Sequence, residues 1–204
     1  MSIFASKLLL IILSIVPAKY DVLYELPEER RSRMETISLA IEDAANHATC
    51  SEEYKIPECK RIWGGSKELL ALYILSLAKS ESELSRKIHE NNCKYECDWY
   101  YSRSGELKHR AISPWQLHKS RFVPDWEDLG SIEYEPTRKA AWHATVLYCG
   151  YYGMGKSAMA AYNLYKARAA NSNTKDIRDM VRWAEMNAGR LFLTKEEREK
   201  DEGC

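Results

Sequence analysis

The sequence predicts a mainly α-helical fold in which helices precede and follow an irregular middle segment. Three observations support this fold class. Apolar residues recur at helical spacing in several windows of the chain. The 204 residues include only 9 glycines and 6 prolines, which is low for a many-turned β protein. Hydrophobic residues form 45% of the chain, which is enough for the core of one domain and argues against a disordered protein.

The amino terminus, residues 1–18, is predicted to be a signal peptide or a membrane anchor. Lys7 precedes an apolar run over 8–16 that contains one polar residue, Ser14. This run is shorter than the ~20 residues that span a bilayer, and it has the length of the apolar region of a signal peptide. We therefore expect an exported protein, in the periplasm, the cell envelope or outside the cell, that meets a membrane only through this leader. A buried helix or strand is the alternative.

Apolar spacing and capping residues place the helices. Residues 19–33 are polar and are predicted to connect the leader to one domain over 34–192. Ser66 is predicted to cap a strongly apolar helix, and Thr137 to cap a later one. The predicted helices cover 34–48, 67–80, 138–149, 156–170 and 174–192, and residues 193–204 form a charged tail.

The middle segment, 81–130, is polar, and we expect it to be irregular with a small β-hairpin around 99–108. Cysteines occur here and elsewhere in the chain, and export would place them in an oxidising compartment. Sequence alone does not fix their pairing. The simplest local disulfides join Cys50 to Cys59 and Cys93 to Cys97, which leaves Cys149 to pair with Cys204 or to stay free.

A zinc site is the competing interpretation of the middle cysteines. Two imidazoles flank them, and two thiolates with two imidazoles are a ligand set that zinc accepts. The spacing is not that of a standard zinc finger, and exported thiols usually oxidise, so we expect no metal. The four residues concerned are His89, Cys93, Cys97 and His109.

The balance of positive and negative charge argues against a protein that binds nucleic acid. Lysine plus arginine and aspartate plus glutamate each number 30, so the formal net charge is zero at pH 7. We therefore expect no nucleic-acid partner, because such proteins carry a basic surface. The 13 tyrosines and 6 tryptophans outnumber the 3 phenylalanines. Amphipathic rings of this kind suit a groove for a polar ligand such as a sugar, and they also pack in cores.

One carboxylate lies directly after an apolar helix, where partial burial favours its protonated form. Glu81 directly follows the strongly apolar helix predicted over 67–80. Partial burial disfavours the charged form of such a group, and a protonated carboxyl near neutral pH can act as a general acid. Cleavage of a glycosidic bond needs an acid of this kind to protonate the leaving oxygen.

Three segments, in this order, resemble the motifs of the soluble lytic transglycosylase family within the lysozyme-like group. They are 78–82 (AKSES), 113–117 (SPWQL) and 161–163 (AYN). The chain is similar to divergent, phage-like or secreted members of that family. It departs from the pattern at Ser113, where the family has glycine, and at Leu164-Tyr165, where the family has alanine and glycine.

The resemblance implies a lysozyme-like helical domain that cleaves peptidoglycan glycan strands. Glu81 would be the acid and base, and the expected product carries a 1,6-anhydromuramic end. Ser82, Gln116, Tyr162 and Asn163 would bind substrate, with Tyr162 also orienting the Glu81 carboxyl. The family needs no metal and no cofactor, and nothing in the sequence argues for an oligomer.

Two other functions stay open at this point. One is a lysozyme similar to the goose type, which hydrolyses the same bond with water and needs a second carboxylate. Candidates for that group are Glu96, Asp98 and Glu106. The other is an envelope protein that binds a glycan or a partner protein without cutting it.

Overall fold

The chain folds mainly into α-helices, as the sequence predicts. The computed structural model describes residues 1–16, 25–50, 66–92, 99–105, 107–109, 111–155, 158, 161, 165, 174–192, 194, 196 and 197. In these residues the helices are α1 (Ile3–Ile15), α2 (Pro27–Cys50), α3 (Lys67–Ser82), α4 (Arg86–His89), α5 (Tyr134–Gly155) and α6 (Thr174–Leu191). A short 3-10 helix covers Trp126–Leu129.

The segment predicted to be a leader forms α1 and packs into the hydrophobic core. The Ser2 hydroxyl caps the helix by accepting a hydrogen bond from the backbone N–H of Ala5, at 2.9 Å. Phe4, Leu8 and Ile12 are fully buried in the same cluster as the other helices. In the part of the chain that the structure describes, no helix combines the length and apolarity needed to cross a membrane.

Lys7, the one charged residue of this segment, contacts the other end of the chain. Its Nζ atom donates hydrogen bonds to the backbone oxygen of Phe192, at 3.1 Å, and to Glu197 Oε2, at 2.7 Å. Helix α1 is therefore tied to residues that follow α6 in the chain.

Helix α2 begins at Pro27, seven residues before the predicted start at residue 34. Proline is well suited to the first helical position, because that position needs no backbone N–H. The negative charges of Glu28 and Glu29 interact favourably with the positive end of the helix dipole. The prediction of a connector is therefore wrong for residues 27–33. Its polarity misled the prediction because Arg33 is buried by pairing with Glu25, at 2.8 Å.

Helix α3 is the centre of the core, and its predicted cap is confirmed. Ser66 Oγ accepts a hydrogen bond from the N–H of Leu69, at 3.3 Å. The side chains from Leu70 to Leu75 are all fully buried, as expected for a helix that is apolar on every face. The helix extends two residues beyond its predicted end, to Ser82.

Helices α2 and α5 pack together, and α6 covers α3. Thr137 is not the cap of α5, because the helix already begins at Tyr134. Thr137 is instead buried inside the first turns, where it donates a hydrogen bond to the backbone oxygen of Glu133, at 2.7 Å. In the predicted helix over 156–170 the structure describes Ala158, Ala161 and Tyr165, and each is helical.

Two short antiparallel hairpins form the middle of the chain. Strand β1 (Trp99–Tyr101) pairs with β2 (Leu107–His109), which confirms the predicted small hairpin. A second hairpin, β3 (Ala111–Ile112) with β4 (Leu117–His118), follows at once. Its turn, residues 113–116, holds the first four residues of the motif segment 113–117.

Candidate functional site

Glu81 lies in the last turn of α3, most of whose side chains are buried. Its side chain is partly buried, and the Oε1 atom is shielded from solvent. The carboxyl end of a helix carries partial negative charge, which disfavours a second negative charge beside it. The Glu81 carboxyl thus lies partly buried at the negative end of a helix.

Tyr165 lies close enough to Glu81 for the two side chains to interact electrostatically. Burial, followed by the negative charge of Glu81, holds the pKa of Tyr165 well above its usual value of 10. The phenol therefore keeps its proton, and its hydroxyl donates a hydrogen bond to the backbone oxygen of Trp115, at 2.9 Å. One side chain thus connects the end of α3 to the turn over 113–116.

The turn over 113–116 is compact and tied to α3. The backbone N–H and the side-chain amide of Gln116 both donate to the Ser113 oxygen, at 3.0 and 3.1 Å. The indole of Trp115 is fully buried and donates to the backbone oxygen of Ile74 in α3, at 2.9 Å. Gln116 is partly buried, so its predicted contact with substrate would come from an amide that is held against its own turn.

Ser113 occupies the position where the family pattern has glycine, and its backbone explains that preference. Its φ angle is +67°, in the left-handed region that glycine adopts without strain. The residue is fully buried, and its hydroxyl finds no hydrogen-bond partner among the described residues. The serine therefore preserves the shape of a glycine turn at an energetic cost.

The Ser82 hydroxyl forms hydrogen bonds with the backbone and is buried from solvent. Its hydroxyl donates to the oxygen of Ala78, at 2.7 Å, and accepts from the N–H of Leu84, at 3.1 Å. The side chain is 3% exposed. In this geometry Ser82 closes the end of α3, which is the turn-forming role of a serine at a helix end.

Aromatic side chains of α5 stand beside the site. The ring of Tyr151 meets the ring of Tyr165 edge to face, with centroids 6.3 Å apart. Further into the core, Tyr148 stacks on Tyr73 of α3 at 5.8 Å. Burial raises the pKa of Tyr148 as well, so both buried phenols are neutral.

A buried polar cluster lies behind the end of α3, and the sequence analysis missed it. Arg33 pairs through two hydrogen bonds with Glu25, and it donates a third to the backbone oxygen of Leu84, at 2.7 Å. Arg33 stands four residues before Ile37, on the buried stripe of α2. That spacing is the signal that could have identified it.

His89 belongs to the same cluster. It is fully buried, and its Nε2 lies 2.9 Å from the Thr137 hydroxyl. That hydroxyl donates to Glu133, so we assign the proton of the His89–Thr137 hydrogen bond to Nε2. Burial and the charge of Arg33 lower the pKa of His89 to about 3, which keeps the ring neutral.

Several predicted site residues lie outside the described residues. These are Tyr162, Asn163, Cys59, Cys93, Cys97, Glu96, Asp98, Glu106 and the side chains of Cys50 and His109. Cys149 is disulfide-bonded, which excludes the alternative of a free thiol at that position. In the described ranges, no three histidine, cysteine, aspartate or glutamate side chains come together in a way that could hold a metal ion.

The site thus brings parts of two motif segments together through Tyr165, which lies two residues after the third segment. Glu81, the turn at Trp115 and the helical residue Tyr165 are linked by charge and by a hydrogen bond. Comparison of the chain with protein-family models, with curated proteins and with solved structures gives no match. The resemblance to lytic transglycosylases therefore depends on the motif residues themselves.

Proposed function

We propose that this chain is a peptidoglycan lytic transglycosylase, which cleaves the β-1,4 bond between N-acetylmuramic acid and N-acetylglucosamine. The observation that carries the proposal is the link that Tyr165 makes between two of the motif segments, Glu81 at the end of α3 and the turn at Trp115. Glu81, Trp115 and Tyr165 are far from one another along the chain, yet they form one connected group. The proposal includes export to the cell envelope, because the glycan strands are there.

In the proposed reaction Glu81 acts first as an acid. Its carboxyl gives a proton to the bridging oxygen while the bond between that oxygen and the anomeric carbon breaks. Glu81 then acts as a base and removes the proton of the muramic 6-hydroxyl. The oxygen of that hydroxyl attacks the anomeric carbon and closes the 1,6-anhydro ring, and the carboxyl is again protonated.

This mechanism suits a sequence in which one glutamate, Glu81, matches the motif of the family. An internal hydroxyl replaces water as the nucleophile, so no second carboxylate is needed to activate water. The neighbouring group Tyr165 is a neutral phenol whose hydroxyl donates its hydrogen bond to the Trp115 oxygen.

The test is digestion of purified peptidoglycan with the full chain, followed by mass spectrometry of the fragments. We expect fragments with anhydro ends, about 18 Da lighter than hydrolysed ends because one water is not added. Glu81→Gln should abolish them, since an amide cannot donate the proton. Glu83→Gln is the matched control, because Glu83 is exposed, two residues away and outside the motif, and it should keep wild-type activity.

Each other result would contradict one part of the proposal. Reducing ends that vanish in Glu81→Gln would indicate a lysozyme that uses water. Fragments that persist in Glu81→Gln would refute the role of Glu81. If neither protein released fragments from several wall types, the catalytic proposal would be wrong, and a glycan-binding or partner-binding role would take its place.

A further inference from the structure

We propose that Arg33 is a positioning residue for Glu81, which acts through the turn that follows α3. The inference deepens the proposed function and relies on it for the identity of the acid. Arg33 comes from α2, far from the three motif segments in the sequence. It would hold the catalytic carboxyl in place without touching the substrate.

The contacts of Arg33 are fixed in direction. Its Nε and Nη2 atoms donate to the two carboxylate oxygens of Glu25, each at 2.8 Å. Its Nη1 atom donates to the backbone oxygen of Leu84, at 2.7 Å. The side chains of Arg33 and Glu25 are each 1% exposed. A guanidinium held by both carboxylate oxygens has little freedom, so its third contact is also fixed.

The turn that Arg33 contacts needs such support. Glu83 and Leu84 both have left-handed backbones, with φ angles of +51° and +58°. Two successive residues other than glycine in this conformation are strained, and strain of this kind persists only where surrounding contacts impose it. The contacts on Leu84 come from Arg33 on its oxygen and from Ser82 on its N–H.

Glu81 lies within the span that these contacts fix. The N–H of Glu83 donates to the oxygen of Lys79, at 2.8 Å, and the N–H of Ser85 donates to the oxygen of Ser82, at 3.0 Å. A shift of Leu84 would therefore be passed to the last turn of α3. Proton transfer is sensitive to displacements of this size, because a shift of about 1 Å can reduce a rate about a hundredfold.

His89 lies in α4, which follows the turn, and its backbone N–H donates to the oxygen of Ser85, at 3.0 Å. It is buried near Arg33, and its hydrogen bond to Thr137 joins α4 to α5. A neutral imidazole adds no second positive charge beside the guanidinium. The Arg33–Glu25 pair thus keeps its charge balance beside a ring that joins α4 to α5.

The main test uses the double variant Glu25→Leu with Arg33→Met in the full chain. The double variant removes the donor to the Leu84 oxygen. It also removes both buried charges, whereas a single replacement would leave one of them unpaired in the interior. We expect a folded protein whose kcat for release of glycan fragments falls at least about tenfold while KM is unchanged. Arg33→Lys keeps the charge but loses the fork, and it should restore part of the rate.

The control is Arg86→Met. Arg86 also connects α2 to α4, by pairing with Glu29 at 2.9 Å and Glu90 at 2.7 Å, but its side chain is 21% exposed. No contact of Arg86 with the Leu84 oxygen occurs among the described hydrogen bonds. We expect this variant to keep the wild-type kcat. A loss equal to that of the double variant would overturn the specific role of Arg33.

Two further measurements do not depend on activity. In the double variant, hydrogen exchange of the Leu84 amide should accelerate at least about tenfold while exchange in the middle of α2 is unchanged. The carbon-13 signal of the Glu81 carboxyl should also move. If the wild type cleaves no peptidoglycan, the proposed function fails, and these two signals still decide the coupling. A folded double variant with wild-type kcat, exchange and carbon-13 signal would overturn the inference.

Discussion

At the scale of single residues, Ser113 shows a local conflict that the fold tolerates. A left-handed backbone disfavours any residue but glycine, and the buried hydroxyl finds no partner among the described residues. We predict that Ser113→Gly raises the free energy of unfolding by about 1 kcal/mol, after the greater freedom of glycine in the unfolded chain is deducted. Urea denaturation with an unchanged slope measures this difference.

Two other variants separate the contributions at this turn. Ser113→Ala removes the buried hydroxyl but keeps the left-handed residue, so it should gain less than Ser113→Gly. Ser104→Gly is a control, since Ser104 is exposed and is not among the described residues with positive φ. It should gain nothing. An equal gain at residues 113 and 104 would mean that strain at Ser113 is not the cause.

Some site residues could be predicted because their signal is local. The position of Glu81 follows from the helix that ends beside it, and the capping role of Ser66 follows from its direct neighbours. Arg33 and Thr137 could not be placed in this way, because their partners are Leu84 and His89, which lie far away in the sequence. Polar residues of this kind resemble surface residues until the tertiary contact is known.

At the scale of elements, helix α1 behaves as part of the core, and this can be measured. Leu8 is fully buried, while Leu10, two residues further on, is 65% exposed. We predict that Leu8→Ala lowers the free energy of unfolding of the full chain by about 2–5 kcal/mol, through lost burial and a cavity. Leu10→Ala should change it by less than about 0.5 kcal/mol. Equal effects of the two variants would mean that α1 does not pack as described.

The predicted elements differ from the structure mainly at their ends and at one short hairpin. Apolar periodicity gave the centres of α2, α3 and α6, because burial of one stripe decides them. The start of α2 was missed because a buried ion pair replaced an apolar contact. The second hairpin was missed because strands of two residues have no periodicity, and its turn depends on left-handed residues other than glycine.

At the scale of the whole molecule, the buried His89 makes stability depend on pH. Its pKa is about 3 in the fold and about 6.5 in the unfolded chain, so only the unfolded chain takes up a proton between these values. The part of the free energy of unfolding that depends on His89 is therefore largest above pH 6.5, and it decreases as the pH falls towards 3. We predict that His89 lowers the free energy of unfolding by about 1.4 kcal/mol for each pH unit below 6.5.

Denaturation at several pH values between 4 and 7 tests this, with His89→Gln as the comparison. Glutamine can still donate to Thr137 but has no proton to take up in this range, so the variant should have a shallower dependence. If wild type and variant had the same slope, His89 would have to be protonated in the folded protein as well.

The contact between Lys7 and Phe192, which directly follows α6, affects the order in which the fold can form during synthesis. Lys7 and Phe192 are 185 residues apart, so α1 emerges from the ribosome long before this partner exists. At about 5–20 residues per second, the interval is about 10–40 s. During that time an apolar helix is denied part of its burial and is open to any targeting factor that recognises nascent apolar segments. The contact that ties α1 to the residues after α6 is therefore one of the late steps in completing the fold.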